Sequence, residues 1–194
     1  MTKRDEEAGR RAPGGGRNLL TRERACMPDA VLRRRILGRL RDAHAAMTLR
    51  VETLRGCPEV VASPALLQLL FRLLQQAEEQ LRRLEHAFAS LREEPGGGDA
   101  RMAADPVSDI LLLLRHGGRS GPVQDGALAE ALRQAELAGA EEAEALRLLA
   151  HAVGLHLVAR LLDMTAQERH AAARELAAFA ATPASALPPA GPAH

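Results

Sequence analysis

Two glutamates stand where apolar residues would be expected to point into a helical core. Glu168 continues the stripe Leu161, Thr165, Ala172, and Glu142 interrupts the stripe of the segment before it. A carboxylate held in a core needs a partner or a raised pKa, because burial penalises its charged form. The ordinary solution is a stripe-edge glutamate paired with an arginine, for which Arg72 and Arg147 are candidates. Other chemistry-bearing residues point to less. His151, His156 and His170 lack the HExxH spacing of a zinc site and read as surface or packing residues. Cys57 precedes Pro58 with no activating base nearby, so it is not read as a nucleophile. The chain shows no Gly-rich phosphate loop and no Ser/His/Asp set. Arg33, Arg34 and Arg35, with Arg39 and Arg41, could bind phosphates. Consecutive arginines wrap around a helix, however, and a net charge of +1 supplies no basic field, so a solvated face is the better reading. Nucleic acid is therefore not an expected partner.

The elements that must position these residues are helices. Ala, Leu, Glu and Arg dominate the 194 residues, Tyr and Trp are absent, and three Phe supply the only Phe, Tyr or Trp rings. A sheet protein draws on aromatic and β-branched residues that this chain scarcely has. The leucine-rich apolar run Ile110 to Leu114 is far too short to cross a bilayer. Cys26 and Cys57 form no CxxC pair, and the first residues contain no apolar leader, so a cytoplasmic protein is expected.

The periodicity places four long helices between two tails. Residues 1–27 mix charges with Gly14-Gly15-Gly16 and are expected to be disordered, as is the Pro/Ala stretch 182–194. The domain between them spans 28–181. Its first helix starts near Pro28-Asp29 and carries Ile36, Leu40, Ala43, Met47, Val51 and Leu54 at spacings of three and four. Ser63-Pro64 opens the second, whose seam runs Leu66, Leu70, Leu73, Ala77, Leu81, Leu84, Phe88. A short helix near 107–116 belongs to a crossover. The third helix, about 123–152, is rich in Ala and Gly at its middle, so a neighbour can approach closely there. Gly154 turns the chain into the fourth, with Leu157, Leu161, Thr165, Ala172, Leu176 and Phe179. Two helical hairpins joined by a long crossover make an all-α, antiparallel four-helix bundle of the ferritin-like kind.

An ordered series of short motifs resembles the YciE/YciF-type ferritin-like family. It runs through Leu40-Arg41-Asp42-Ala43, Ala62-Ser63-Pro64, Leu84-Glu85-His86-Ala87-Phe88 and Val123-Gln124-Asp125-Gly126, then Ala152-Val153-Gly154-Leu155 and Leu161-Leu162 with Thr165. The resemblance covers about Leu40 to Leu176. It implies a bacterial, stress-associated setting and a pair of metal ions held by carboxylates from all four helices. Carried over by position, the family's ligands fall on Met47, on Gln75 and Glu78, on Glu136 and Gly139, and on the Gln167-Glu168-Arg169 stretch with Ala173. Glu78, Glu136 and Glu168 are thus the remnant metal positions, and the sharper alternative is a leftover one-metal site of Glu136 and Glu168 helped by His44. The expectation is a largely lost two-metal site, no resident cofactor and no catalysis. The protein would act by self-association or by binding a protein partner, away from membranes. The competing expectation is a metal-dependent oxidase or ferroxidase with a reduced iron or manganese site.

Overall fold

The computed structural model describes residues 29–99, 110–114 and 121–181. The tails expected at 1–27 and 182–194 therefore lie outside the described residues. Four long helices carry the fold: α1 Asp29–Gly56, α2 Pro64–Leu91, α3 Pro122–Ala152 and α4 His156–Ala180. A 3-10 turn, Cys57–Val60, links α1 to α2, and residues 110–114 form a short helical piece within the crossover. No helix among the described residues is long and apolar enough to cross a membrane.

Local sequence explains the helix ends. The Ser63 hydroxyl accepts the Leu66 N–H at 3.4 Å, with Pro64 filling the first helical position, whose N–H would go unused anyway. Arg92 ends α2 in the left-handed conformation (φ 57°), and its N–H bonds back to the Ala89 carbonyl at 3.1 Å. The glycines that follow do more than stop the helix. A Cβ on Gly98 would lie 2.0 Å from the Arg41 carbonyl oxygen, so only glycine lets the crossover leave flush against α1. The Asp42 carboxylate, accepting the Asp99 N–H at 2.9 Å, holds it there.

The far end of the crossover is fixed by a residue whose task spacing alone does not reveal. Asp125, 1% exposed in the first turn of α3, accepts the N–H groups of Ala62 (3.1 Å) and Ser63 (2.7 Å). This places the start of α3 beside the start of α2, at the opposite end of the bundle from Leu91. Each helix is then antiparallel to both its neighbours, in the spatial order α1, α2, α4, α3. Asp125→Ala would leave two N–H groups unpaired, one of them buried. The expected cost is about 1–3 kcal/mol, read as a lower urea midpoint at constant slope.

The core has two apolar ends. Leu54, Leu66, Leu70, Leu73, Leu128 and Leu176 anchor one, which also takes in Ile110 of the crossover. Ile36, Leu40, Phe88, Leu146, Ala150 and Val158 anchor the other. Alanines at 140, 143 and 150 of α3 and 159, 166 and 173 of α4 are buried, and their small side chains let these two helices pack along their whole length. The inward face of α4 departs from the expected stripe. Leu157 is 45% exposed, and Val158 and Leu162 enter the core instead, because they continue the four/three spacing of Thr165, Arg169, Ala172 and Leu176.

Candidate functional site

Between the two apolar ends lies a layer in which every helix contributes a buried polar side chain: Arg50, Gln80, Glu136 and Arg169. Each occupies a three/four position of its own seam. Arg50 lies three residues beyond Met47 and four before Leu54, and Gln80 bears the same relation to Ala77 and Leu84. Glu136 lies four beyond Leu132, and Arg169 four beyond Thr165. The seam positions were legible in the spacing. Glu136 stands among the positions the resemblance marks, whereas Arg50 and Gln80 do not, because an arginine or glutamine reads as the solvated flank and Leu81 takes the seam position next to Gln80.

The side chains form a connected chain of hydrogen bonds. Arg50 donates from Nε (2.9 Å) and Nη2 (2.6 Å) to Oε1 of Glu136, and from Nη1 to the Gln80 carbonyl oxygen at 3.0 Å. The Gln80 amide nitrogen donates to Glu168 at 3.0 Å, and Arg83 Nη2 reaches both oxygens of Glu168 at 2.6 and 2.7 Å. Glutamine suits the central place because it alone here both accepts from a cation and donates to an anion. Ion pairs this far from water survive only when their remaining donors and acceptors are also satisfied. Here that condition is met in part.

Arg169 stands outside this chain. Its Nη2 lies 3.4 Å from the thioether of Met47, a weak acceptor, and its Nε is buried with no hydrogen-bond partner among the described residues. Burial pushes its pKa down to about 10, the neighbouring Arg50 charge adds to that, and Glu136 opposes it. The group remains cationic at neutral pH. Because its proton is held less tightly folded than unfolded, its charge opposes folding there, and the penalty fades only as pH rises beyond about 10. The guanidinium fits because of Gly139: a Cβ at that position would fall 1.5 Å from Nη1. The close approach expected at the middle of α3 is therefore made by the side chain of Arg169 rather than by a helix backbone.

Around the layer is a cavity of about 360 Å³, lined mostly by apolar side chains together with Arg39, Arg50, Arg83, Arg169, Glu136 and Glu142. At its edge Arg39 donates to Glu142 at 2.6 Å, and this pair is two-fifths exposed. The bond to Glu142 raises the Arg39 pKa against the lowering effect of burial.

The expected metal positions separate. Glu136 and Glu168 are brought to the same layer and joined through Arg50 and Gln80. Glu78 is not: it pairs with Arg55 at 2.8 Å on the outer side of α1 and α2. Gln75 is exposed, and the inward positions of α2 are Gln80 and Arg83. His44 packs edge-on against Phe88 with ring centroids 6.1 Å apart, and its Nε2 lies 3.8 Å from Glu85, away from Glu136. Neither Arg72 nor Arg147 holds a stripe glutamate, since they pair with Glu175 and Asp163; Arg39 and Arg83 do so instead. Two divalent cations need several converging carboxylates. Among the described residues no three His, Cys, Asp or Glu side chains converge, and both carboxylates of the layer are taken up by guanidinium groups. The donor set does not fit a metal pair. Nor does Cys57 offer a nucleophile, as burial pushes its thiol up to about 12 and it bonds to the Thr53 carbonyl.

Comparison with known proteins agrees with this architecture. The model of a domain of unknown function, DUF892, matches residues 32–186. The crystal structure of the E. coli stress protein YciF superposes with a TM-score of 0.72 at 19% identity, covering 77% of this chain and 94% of that one. No curated protein sequence matches the chain. With the family model matching residues 32–186 and the YciF structure showing the same helical-bundle fold, the chain belongs to the DUF892, YciF-type family.

Proposed function

We propose that this protein is a non-catalytic member of its family, which uses the bundle as a scaffold for association rather than as a container for redox metals. The observation that carries the reading is the Arg50–Glu136 pair: a guanidinium is buried in the layer to which all four helices contribute and neutralises its most buried carboxylate. An oxidase reading would need Glu136 and Glu168 freed from Arg50 and Arg83, and a further carboxylate in place of Met47 or Gly139. Self-association or a protein partner is supported by apolar side chains left outside the core. Leu148 on α3 and Leu157 and Met164 on α4 are 59%, 45% and 41% exposed. A stress role, the setting named for YciF, and a cytoplasmic location are part of the same proposal.

Metal loading tests it directly. Protein purified from cells grown with added iron and manganese is expected to carry well under one equivalent of either by elemental analysis. Its melting temperature should not move with Fe(II) or Mn(II), since a metal that binds only the folded state must raise it. Two tightly bound ions per chain would refute the reading. Sedimentation of the wild type against Leu148→Glu/Met164→Glu then tests association: the variant should shift toward monomer at equal concentration.

A further inference from the structure

The buried layer holds more positive than negative charge. Arg50 and Arg169 are both buried within it, and Glu136 is the one carboxylate at the same depth. Arg83 and Glu168, nearer the surface, cancel each other. Glu136 spends Oε1 on Arg50, and its Oε2 is buried without a hydrogen bond. Arg169, which lines the cavity, is left with a thioether contact and an Nε that makes no hydrogen bond. A buried cation without an anionic partner is among the least favourable arrangements a fold can contain. It is retained here beside a cavity that runs from the layer to the partly exposed Arg39–Glu142 pair.

We propose that this cavity is a binding site for a small organic carboxylate with an apolar body, its anionic head paired with Arg169. Charge selects the head: a single negative charge brings the buried layer to balance. Geometry selects where it binds, because Arg169 lines the cavity with a donor, Nε, that is unused, and its guanidinium is seated in the notch left by Gly139. Composition of the walls selects the body. Ala43, Leu84, Leu132, Leu146 and Leu162 line the cavity and offer an alkyl or ring system burial but no hydrogen bonds. Glu136 Oε2 faces the same layer and disfavours a dianion, so a monocarboxylate is preferred over inorganic phosphate. The proposal rests on the cationic, metal-free reading of the layer. It is separable from the association proposed above, which concerns the outer face.

Octanoate serves as the probe, with 1-octanol of equal chain length and inorganic phosphate as controls, on the full chain. Calorimetry is expected to give one octanoate per chain, with a melting temperature that rises with octanoate concentration. At the same concentration 1-octanol should bind at least tenfold more weakly, and phosphate should have no effect. In Arg169→Met, octanoate binding should weaken roughly 10- to 100-fold, the factor implied by losing a hydrogen bond to a charged group. The ligand-free variant should melt no lower than the wild type, because a strained cation has been removed. Absence of octanoate binding, equal binding of 1-octanol, or tighter binding of phosphate would each overturn the proposal. The comparison of octanoate with 1-octanol uses only the wild type, so it decides even if the variant does not fold. Loss of the metal-free reading would appear separately, as bound iron or manganese.

Discussion

Glu136→Ala is expected to be among the most damaging single substitutions in this protein, lowering stability by about 3–5 kcal/mol, the usual cost of breaking a buried ion pair from one side. Glu136 is 1% exposed and takes two hydrogen bonds from Arg50. Removing it leaves Arg50 with Gln80 as its one oxygen acceptor and places two guanidinium groups in the layer with no carboxylate at their depth. Urea unfolding should show a sharply lower midpoint with an unchanged slope. Taking away both partners should behave differently. An Arg50→Met/Glu136→Leu protein exchanges the pair for apolar groups of similar size, and it should recover most of the loss. The two single variants and the double form a cycle whose interaction energy should be large. Additive single losses would show that the layer is held by its surroundings rather than by this pair.

Phe88→Ala should cost a similar amount, about 3–5 kcal/mol, by a different route. Phe88 is fully buried and is the largest side chain in the apolar end formed with Leu40, Leu146 and Val158. Four helices surround it, so the space left by the ring cannot close without moving one of them, and both transfer energy and contacts are lost. His44, stacked edge-on against the ring, would lose its support as well. The effect should be independent of pH between 6 and 8.

The helices were readable because their apolar residues recur at three and four with little interruption, and because Ser63-Pro64 and the glycines after Leu91 punctuate them. The layer was harder to read. Glu168 and Glu142 drew attention as acids on a stripe, and their arginine partners were expected in kind, but the partners found were Arg83 and Arg39. Pairing across a bundle depends on the relative height of helices distant in sequence, which a period of 3.6 leaves open. Arg50 and Gln80 were missed for a simpler reason. Residue type was weighed above position, although both lie on the seam. The role of Asp125 has no local pattern to announce it, since its two N–H partners lie at the entry to α2, some sixty residues away in sequence.

The fit of Arg169 against Gly139 has a consequence for the alignment of α3 and α4. Two alanine-rich helices can slide past one another at low cost, because one small side chain replaces another at each step. A slip of one turn, about 5.4 Å, would carry the guanidinium from Gly139 to the level of Ala135 or Ala143, where a Cβ fills the space. The arginine therefore works as a latch with a single catch. It converts a surface that would accept several registers into one that accepts one.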